Sequence, residues 1–340
     1  MKQLLNTLYV LTPHSALYER NNGICVSIGG EEKVSIPANT IDSIVCFGIM
    51  NISTPLIKFC GEHNIQITFL SEYGRFWGKV VGPTKGNVLL RTKQYKVYED
   101  ENTSIEIAKN IIGGKLKNSR NFMTRQGRED PENKDSLSVA ATMLKQQSIA
   151  LKTVTNRDSI RGIEGTAASI YFQQFDKMLH SDKIGFSFGT RSRRPPQNEV
   201  NATLSFAYAM LTNEYTSAIE SIGLDPAVGV LHSVRPGRPS LALDLMEELR
   251  APLCDRLTIA MFNRRELQSS HFDERSDGVS LNEKGRKLFL QKWQLRKNEE
   301  IIHPYLQEKM KIGLIPFIQA QLFAKTIRGE LPEYPPFIWR

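Results

Sequence analysis

The spacing of apolar residues changes once along this chain, at about residue 86, and that change constrains the fold more than any other feature. Before it, short runs alternate apolar and polar residues or are rich in β-branched and aromatic residues, as strands are. After it, long segments place apolar residues three and four apart, as amphipathic helices do. We therefore predict an α+β chain with a small β domain holding one helix over 1–86 and a larger, mainly α-helical domain over 87–340.

Two segments of the first domain carry specific local signals. Asn22-Gly23 separates two strand-like runs in "ALYERNNGICVSIG" and predicts a β-hairpin. In "STPLIKFCGEHN", Thr54 at the N-cap, Pro55 in the first turn and apolar residues at helical spacing predict a helix. The strand runs around them include "IDSIVCFG", "IQITFL" and "RFWGKVVG".

The apolar content bounds the class of protein. The longest apolar runs, such as 44–50 and 314–318, fall far short of the ~20 residues that span a bilayer. The amino terminus lacks an apolar signal core, so we expect a cytoplasmic protein. The four cysteines are irregularly spaced and form no Cys-x-x-Cys pair, which predicts buried free thiols.

The charge balance favours a polyanionic partner. The chain has 44 Lys and Arg against 36 Asp and Glu, a formal net charge of +8. Basic residues concentrate in three segments of the helical domain, where guanidinium and ammonium groups suit phosphate binding. They are Lys115, Lys117, Arg120 and Arg125; Arg191, Arg193 and Arg194; and Arg235, Arg238 and Arg250.

Two short segments of the helical domain place a carboxylate and a histidine where chemistry is possible. Glu164 lies between Gly162 and Gly165, and the small residues after it leave room for a ligand or another helix. The alternative is an acidic residue near a helix amino end, where the helix dipole favours it. His232 sits at the edge of a loop, with its imidazole free to bind a metal, although a lone histidine is more often structural.

A third segment, "LALDLMEELR", carries Asp244, Glu247 and Glu248. Residues three and four apart share one helix face, so Asp244 is expected beside Glu247 or Glu248. The alternative interpretation of the same residues is an amphipathic helix whose acidic edge faces solvent. Together with His232 and Glu164, these carboxylates form a nitrogen and oxygen set without thiolates, which suits Mg²⁺ or Mn²⁺ better than structural zinc.

The blocks "RGIEGTAASIYF", "NATLSFAYAMLTNEYTSAIESIGLDPAVGVLHS" and "RPSLALDLMEELRAP" closely resemble, in order, the signature blocks of the CRISPR-associated integrase, the universal adaptation protein that inserts new spacers into CRISPR arrays. The resemblance covers nearly the whole chain and includes the "AKNIIGGKLKNSRNFMTR" helix. The length of the chain and its "PHSALYERNNGICVSI" opening resemble the versions of this integrase found in compact type I systems, such as type I-C.

The resemblance implies a site, residue by residue. The family's metal-binding glutamate falls on Glu164, its histidine on His232 and its later acidic ligand on Glu247, where several relatives have Asp. A further family carboxylate falls on Asp244 and is expected to support the site, while Glu248 competes with Glu247 as the ligand. A family block that faces the active site matches the segment around Asn201, Ser205 and Tyr208.

The resemblance also implies an activity and partners. It implies a Mg²⁺- or Mn²⁺-dependent DNA endonuclease and integrase that joins the 3′ ends of prespacer DNA to the CRISPR array by transesterification. It further implies a homodimer, for which the β domain is the expected dimerisation module, and a second, small dimeric adaptation protein as partner. Two alternatives stay open, a structure-specific DNA nuclease without integration and a non-catalytic DNA-binding scaffold. The "GELPEYPPFIWR" tail is expected to dock either on a neighbouring surface of the chain or on a partner.

Overall fold

The computed structural model describes residues 6–63, 65–71, 76–80, 82, 88–193, 195–276 and 278–339. The chain forms two compact units, Met1–Gly86 with Asn282–Lys287, and Asn87–Leu281 with Leu288–Arg340. The predicted boundary at 86/87 and Arg194 lie outside the described residues. The α+β prediction is confirmed, since strands dominate the first unit and helices the second.

Two four-stranded sheets and one helix build the first unit. One sheet has the order β1-β5-β7-β8, with β8 antiparallel to β7, and the other has the order β4-β3-β2-β6. The elements are β1 (Asn6–Val10), β2 (Ala16–Arg20), β3 (Gly23–Ile28), β4 (Glu31–Pro37), β5 (Ile41–Phe47), β6 (Asn51–Ile52), α1 (Thr54–His63), β7 (Gln66–Leu70) and β8 (Phe76–Val80).

The predicted hairpin and helix are present, and each differs from the prediction by one residue. Strands β2 and β3 are antiparallel with Arg20 opposite Gly23, so the two-residue loop is Asn21-Asn22, and both take left-handed φ values of 52° and 57°. Asparagine tolerates that conformation well, which moves the turn one residue earlier. In α1, the Ser53 hydroxyl accepts the Leu56 N–H at 3.3 Å, so Ser53 caps the helix in place of Thr54.

The core of the first unit lies between α1 and the sheets. Leu56, Phe59 and Cys60 of α1 are buried with Ile44 and Ile67 of the parallel strands. All four cysteines of the chain are buried and free, which confirms the thiol prediction. Among the described residues, no helix combines the length and apolar character needed to cross a membrane.

The second unit is built around one long helix. Its elements are α2 (Val88–Glu99), α3 (Glu101–Glu129), α4 (Lys134–Ala150), α5 (Arg157–Phe172), α6 (Phe175–Leu179), α7 (Ser181–Ile184), α8 (Glu199–Ile222), α9 (Ser240–Leu245), α10 (Glu247–Leu249), α11 (Arg256–Asn263), β9 (Phe272–Arg275), β10 (Gly278–Leu281), the part of α12 (Glu283–Asn298) from Leu288 onward, β11 (Glu300–Ile302), β12 (Lys309–Lys311) and α13 (Ile315–Arg328). Helix α3 packs against α4, α5 and α10.

Helix α3 begins where Asp100 caps it, since the Asp100 carboxylate accepts the Asn102 and Thr103 N–H groups. It runs for 29 residues and carries Lys115 and Asn118 near its middle. Between α10 and α11, residues Arg250–Asp255 form a π-helical segment. Because α3 contacts both α10 and this π-helix, it brings its own polar side chains to the segment that carries Glu247.

Candidate active site

His232 and Asp244 form one half of the site. The loop before His232 folds over the start of the acidic segment, and the N–H groups of Val230, Leu231 and His232 donate to the Asp244 carboxylate at 2.6, 3.0 and 3.0 Å. His232 Nδ1 lies 2.6 Å from the same carboxylate. A Cβ on Gly229 would come within 2.3 Å of Asp244 Oδ2, so only glycine allows this approach.

Asp244 therefore orients His232. Its side chain is fully buried and is held in place by the three N–H groups that it accepts. A carboxylate next to Nδ1 favours the tautomer in which Nδ1 carries the proton, which leaves the Nε2 lone pair of the half-buried imidazole available. The structure thus places Asp244 as the partner that holds the imidazole.

Lys115 connects Glu164 and Glu247 in the other half of the site. Its ammonium forms ion pairs with Glu164 Oε1 and, at 2.7 Å, with Glu247 Oε2. Arg250 Nη1 donates to the other Glu247 oxygen at 2.7 Å. Two carboxylates from separate helices are therefore held together by one shared cation.

Glu247 is buried, with only 5% of its surface exposed. Burial by itself raises the pKa of this carboxyl, but Arg250 and Lys115 outweigh it and bring the pKa to about 2. The charge of His232 acts in the same direction, which places the imidazole in the same electrostatic environment. Glu247 is accordingly an ionised carboxylate near neutral pH.

Glu248, the competing residue, faces another environment. Its carboxylate is fully buried and accepts the Phe337 N–H at 2.7 Å and Gln319 Nε2 at 2.8 Å. Burial, only partly offset by these hydrogen bonds, raises its pKa to about 8. Glu248 is thus tied to the carboxyl-terminal tail, whereas Glu247 contacts Lys115.

Arg250 links Glu247 to an aromatic and acidic cluster. Its guanidinium lies 4.2 Å from the centre of the Tyr208 ring, and the Tyr208 hydroxyl donates to Asp255 at 2.5 Å. Burial raises the pKa of Asp255 to about 6, although Tyr208 and Arg250 oppose the shift. The guanidinium of Arg191 lies 5.4 Å from the centre of the same Tyr208 ring.

Asn201 and Ser205 hold Arg191 in place. Asn201 Oδ1 accepts Arg191 Nη1 at 2.8 Å, and the Ser205 hydroxyl accepts Arg191 Nη2 at 3.1 Å. The Asn201–Tyr208 block is thus connected to Glu247 indirectly. Asn201 and Ser205 hold Arg191, and both Arg191 and Arg250 lie near the Tyr208 ring. Arg250 in turn pairs with Glu247.

A small cavity of about 20 Å³ joins these groups. Among its lining residues are Lys115, Glu164, Arg193, Tyr208, Arg250 and Asp255, together with Ala167 and Ala168 of the small-residue stretch. Among the residues that the structure describes, no three His, Cys, Asp or Glu side chains stand close enough to hold a metal as they lie. Glu164 and Glu247 meet on Lys115 instead.

Residues 8–295 match the family described as CRISPR associated protein Cas1. That match spans most of the chain. The chain belongs to the Cas1 family. The resemblance read from the three motif blocks is therefore confirmed, while the type I subtype stays a prediction.

Individual Cas1 proteins match over the full length. CRISPR-associated endonuclease Cas1 1 from Moorella thermoacetica is 43% identical over 343 residues, which cover 100% of both chains. The solved structure of a CAS1 protein from Thermotoga maritima has a TM-score of 0.84 at 25% identity and covers 98% of this chain and 100% of that chain.

Two further solved structures share the Cas1 fold at lower identity. A casposase bound to integration product has a TM-score of 0.84 at 21% identity, covering 99% of this chain and 95% of its own. A chain of a Cas6-RT-Cas1–Cas2 complex has a TM-score of 0.85 at 20% identity, covering 100% of this chain and 36% of that one.

Two alternative interpretations of the motifs are wrong for this Cas1 chain. Glu164 is not at a helix amino end, because Asn156 caps α5 by accepting the Ser159 N–H and Glu164 lies two turns further on. The acidic segment has no solvated edge, because Asp244, Glu247 and Glu248 are all buried. The hydrophobic pattern of the segment could not reveal this, since the partners that pair these carboxylates come from α3, the His232 loop and the tail.

Sequence reasoning missed two participants and the roles of two others. Tyr171 and Asp255 were not singled out, although both line the cavity. The sequence pattern predicts phosphate-binding roles for Lys115 and Arg250, and the structure shows both paired with Glu247. The available signal for Arg250 was its i,i+3 spacing from Glu247. No local signal connects Lys115 to residues so far along the chain.

Proposed function

We propose that this chain is a metal-dependent DNA endonuclease and integrase of CRISPR adaptation, a phosphodiester hydrolase that also joins the 3′ ends of prespacer DNA to the CRISPR array. One observation carries the proposal, the meeting of Glu164 and Glu247 on a single cation beside a histidine oriented by Asp244. The naming of a full-length relative as an endonuclease supports the first activity. The casposase of the same fold, bound to its integration product, supports the second.

Glu164, His232 and Glu247 are the residues that we propose to hold a divalent cation, Mg²⁺ or Mn²⁺, once Lys115 leaves the two carboxylates. The Glu164 and Glu247 carboxylates already converge on one ammonium, and the imidazole offers Nε2 with Nδ1 engaged by Asp244, an arrangement common among metal-ligating histidines. When bound, such an ion stabilises charge on the scissile phosphate and activates a water or a DNA 3′ hydroxyl.

The protein's own side chains supply the rest. Asp244 fixes the imidazole tautomer, and Arg250 keeps Glu247 ionised and oriented. Lys115 and Arg193 line the cavity with positive charge where a phosphate would enter. Hydrolysis and strand transfer then differ only in the attacking oxygen, water in one and a 3′ hydroxyl in the other.

The proposed partners are DNA, a second copy of this chain and the small dimeric adaptation protein. The Cas1–Cas2 complex among the neighbours supports the last of these. Residues 1–86 are proposed as the dimerisation domain and 87–340 as the catalytic and DNA-binding domain. The cytoplasmic location stays a prediction.

Single substitutions test the site. We expect Glu164→Ala, His232→Ala and Glu247→Ala each to reduce Mn²⁺-dependent DNA cleavage by at least about 100-fold, as loss of a catalytic electrostatic group does. Glu274→Ala, at an exposed position on β9, is the control and should keep full activity. Unchanged turnover in all three site variants would overturn the proposed metal site, and absence of cleavage by the wild type itself would leave the non-catalytic scaffold.

A second assay separates integration from cutting alone. Prespacer DNA with free 3′ hydroxyls is incubated with a CRISPR array and Mn²⁺, and covalent joining is measured on a denaturing gel. Joined products support the integrase. Cleaved DNA without joined products would instead identify a structure-specific nuclease.

A further inference from the structure

A second groove lies on α3, apart from the candidate active site. It has a volume of about 510 Å³ and shares no lining residue with the cavity around Glu164. We call it the arginine groove. Its lining residues are Asn118, Arg120, Asn121, Phe122, Thr124, Arg125, Arg128, Glu129, Pro252, Arg256 and Trp339.

Three arginines of the groove have no carboxylate partner among the described residues. Arg125 pairs with Glu129 at 2.9 Å, whereas no ion pair reaches Arg120, Arg128 or Arg256 within the part of the chain described. Arg256 is also half-buried, and burial, with Arg296 and Arg125 nearby, lowers its pKa to about 10. Glu299 and Glu129, both in the described part of the chain, are near enough to oppose that shift, but neither forms an ion pair with Arg256. A half-buried guanidinium without a directly paired carboxylate is stabilised by an anion, so the groove favours an anionic ligand.

Trp339 brings an aromatic surface to the same groove. The guanidinium carbons of Arg256 and Arg296 lie 5.8 and 5.0 Å from the centre of its ring. Its backbone is anchored on α3, since its N–H donates to Asn118 Oδ1 at 2.7 Å and its carbonyl accepts Asn121 Nδ2 at 2.8 Å. The carboxyl-terminal tail thus completes the groove with a fixed ring and two guanidinium planes.

We propose that the arginine groove binds a single strand of DNA, with phosphates on Arg120, Arg128 and Arg256 and bases against Trp339 and its arginines. Arginine forks match phosphate oxygens, and a positive groove with an aromatic platform is how single strands are held without sequence preference. An acidic protein segment would use the charges but not the aromatic platform. The proposal rests on the proposed function in taking DNA as the substrate.

The arginine groove also lies close enough to the candidate active site for one DNA strand to reach both. Lys115 of the candidate site and Arg128 of the groove lie on the same helix, about 20 Å apart along its axis. A strand bound in the groove is therefore tethered within a few nucleotides' reach of Glu164 and Glu247, without occupying the reacting position.

The first test measures binding of a fluorescent 20-nucleotide oligothymidylate by anisotropy across a range of salt. Arg128→Gln/Arg256→Gln is compared with Lys145→Gln/Arg264→Gln, which removes two charges at exposed positions outside the groove. Loss of two phosphate contacts should reduce the slope of log affinity against log salt by about 1.4. At low salt it should weaken binding by about tenfold for each contact. The control should match the wild type.

The outcomes are distinct. Equal affinity and equal salt slope in the groove variant and the wild type would overturn DNA binding in the groove. An equal loss of affinity in the control variant would overturn it as well. In either case an acidic protein segment would be the occupant to seek. A wild-type protein that binds no DNA at all would instead overturn the proposed function. Cleavage of the same DNA by wild-type protein checks the latter separately.

The second test uses tryptophan fluorescence, which a purely structural role of the tail would not change. Oligothymidylate should quench the intrinsic fluorescence of the wild type through Trp339, and Trp339→Phe should lose most of that quenching. Trp77→Phe, in the first unit, is the control and should retain the quenching, since Trp339 is still present. The third tryptophan, Trp293, is fully buried and is not expected to respond to the oligonucleotide. Quenching that survives in Trp339→Phe and disappears in Trp77→Phe would contradict the proposal.

Discussion

At the level of single residues, Lys115 explains how two like charges coexist in the candidate site. Glu164 and Glu247 would repel each other, and the Lys115 ammonium between them converts that repulsion into attraction. The same ammonium sits where a divalent ion is proposed to bind. We therefore propose that Lys115 and the metal ion compete for the same pair of carboxylates.

Lys115→Met is expected to lower the free energy of unfolding of the metal-free protein by about 1–3 kcal/mol, because buried Glu247 keeps only Arg250 as a partner. Mn²⁺ should restore the stability, and its affinity should exceed that for the wild type, since no ammonium has to leave. Thermal unfolding with and without MnCl₂ and titration calorimetry measure both effects. Lys109→Met, which loses only a pair with exposed Glu106, is the control. Equal Mn²⁺ affinity in Lys115→Met and wild type would refute the competition.

Asp255 gives a pH dependence. Burial raises its pKa from 3.8 to about 6, so the folded state binds a proton more tightly than the unfolded state. Its contribution to stability is complete below about pH 4 and is lost as pH rises to about 6, a change of about 3 kcal/mol. Asp255→Asn should remove this slope, and chemical denaturation of both proteins between pH 4 and 7 tests it. Parallel curves over that range would show that the carboxyl does not titrate there.

At the level of elements, Pro252 decides the shape of the acidic segment. Proline has no N–H to donate to the carbonyl four residues earlier, which is that of Glu248, and the chain takes a π-helical path over Arg250–Asp255. The free Glu248 carbonyl accepts Asn118 Nδ2 of α3 at 2.7 Å. Asn118 also donates to the Phe337 carbonyl at 2.8 Å, so one amide ties α3, the acidic segment and the tail together.

Asn118→Ala is expected to destabilise the protein by about 3 kcal/mol or more, because it leaves the Glu248 and Phe337 carbonyls and the Trp339 N–H without a partner. Asn121→Ala removes only one bond, to the Trp339 carbonyl, and should cost about 1 kcal/mol. Urea denaturation of the two variants gives the comparison. Equal costs would mean that Asn118 does not hold the three segments together.

At the level of the whole molecule, exposed apolar side chains on the first unit mark the surface where we propose that a second copy docks. Ile49, Phe76 and Trp77 are more than half exposed, which is unusual for such large apolar residues on strands or their ends. The second unit carries the candidate site and the arginine groove. This division agrees with the proposed roles of dimerisation for 1–86 and catalysis for 87–340.

Phe76→Asp is expected to convert a dimer of the full chain into a monomer, because a buried unpaired carboxylate at the interface opposes association. Sedimentation velocity of the wild type and variant measures the state. Lys33→Asp, a charge change at an exposed position on β4, is the control and should leave the dimer intact. A Phe76→Asp protein that still sediments as a dimer would place the interface elsewhere.

The amino-acid sequence alone determined the fold class and the change from strands to helices, because periodicity and turn residues are local properties. That Glu164, His232 and Asp244 belong to one site stays a prediction, which the ordered motifs supply through the family resemblance. Only the tertiary structure separated Glu247 from Glu248. Adjacent residues on a helix point in different directions, and which one meets Lys115 and which meets the Phe337 N–H depends on where α3 and the tail pack. Lys115 and Trp339 acquired their roles in the same way, from contacts between residues far apart in the chain.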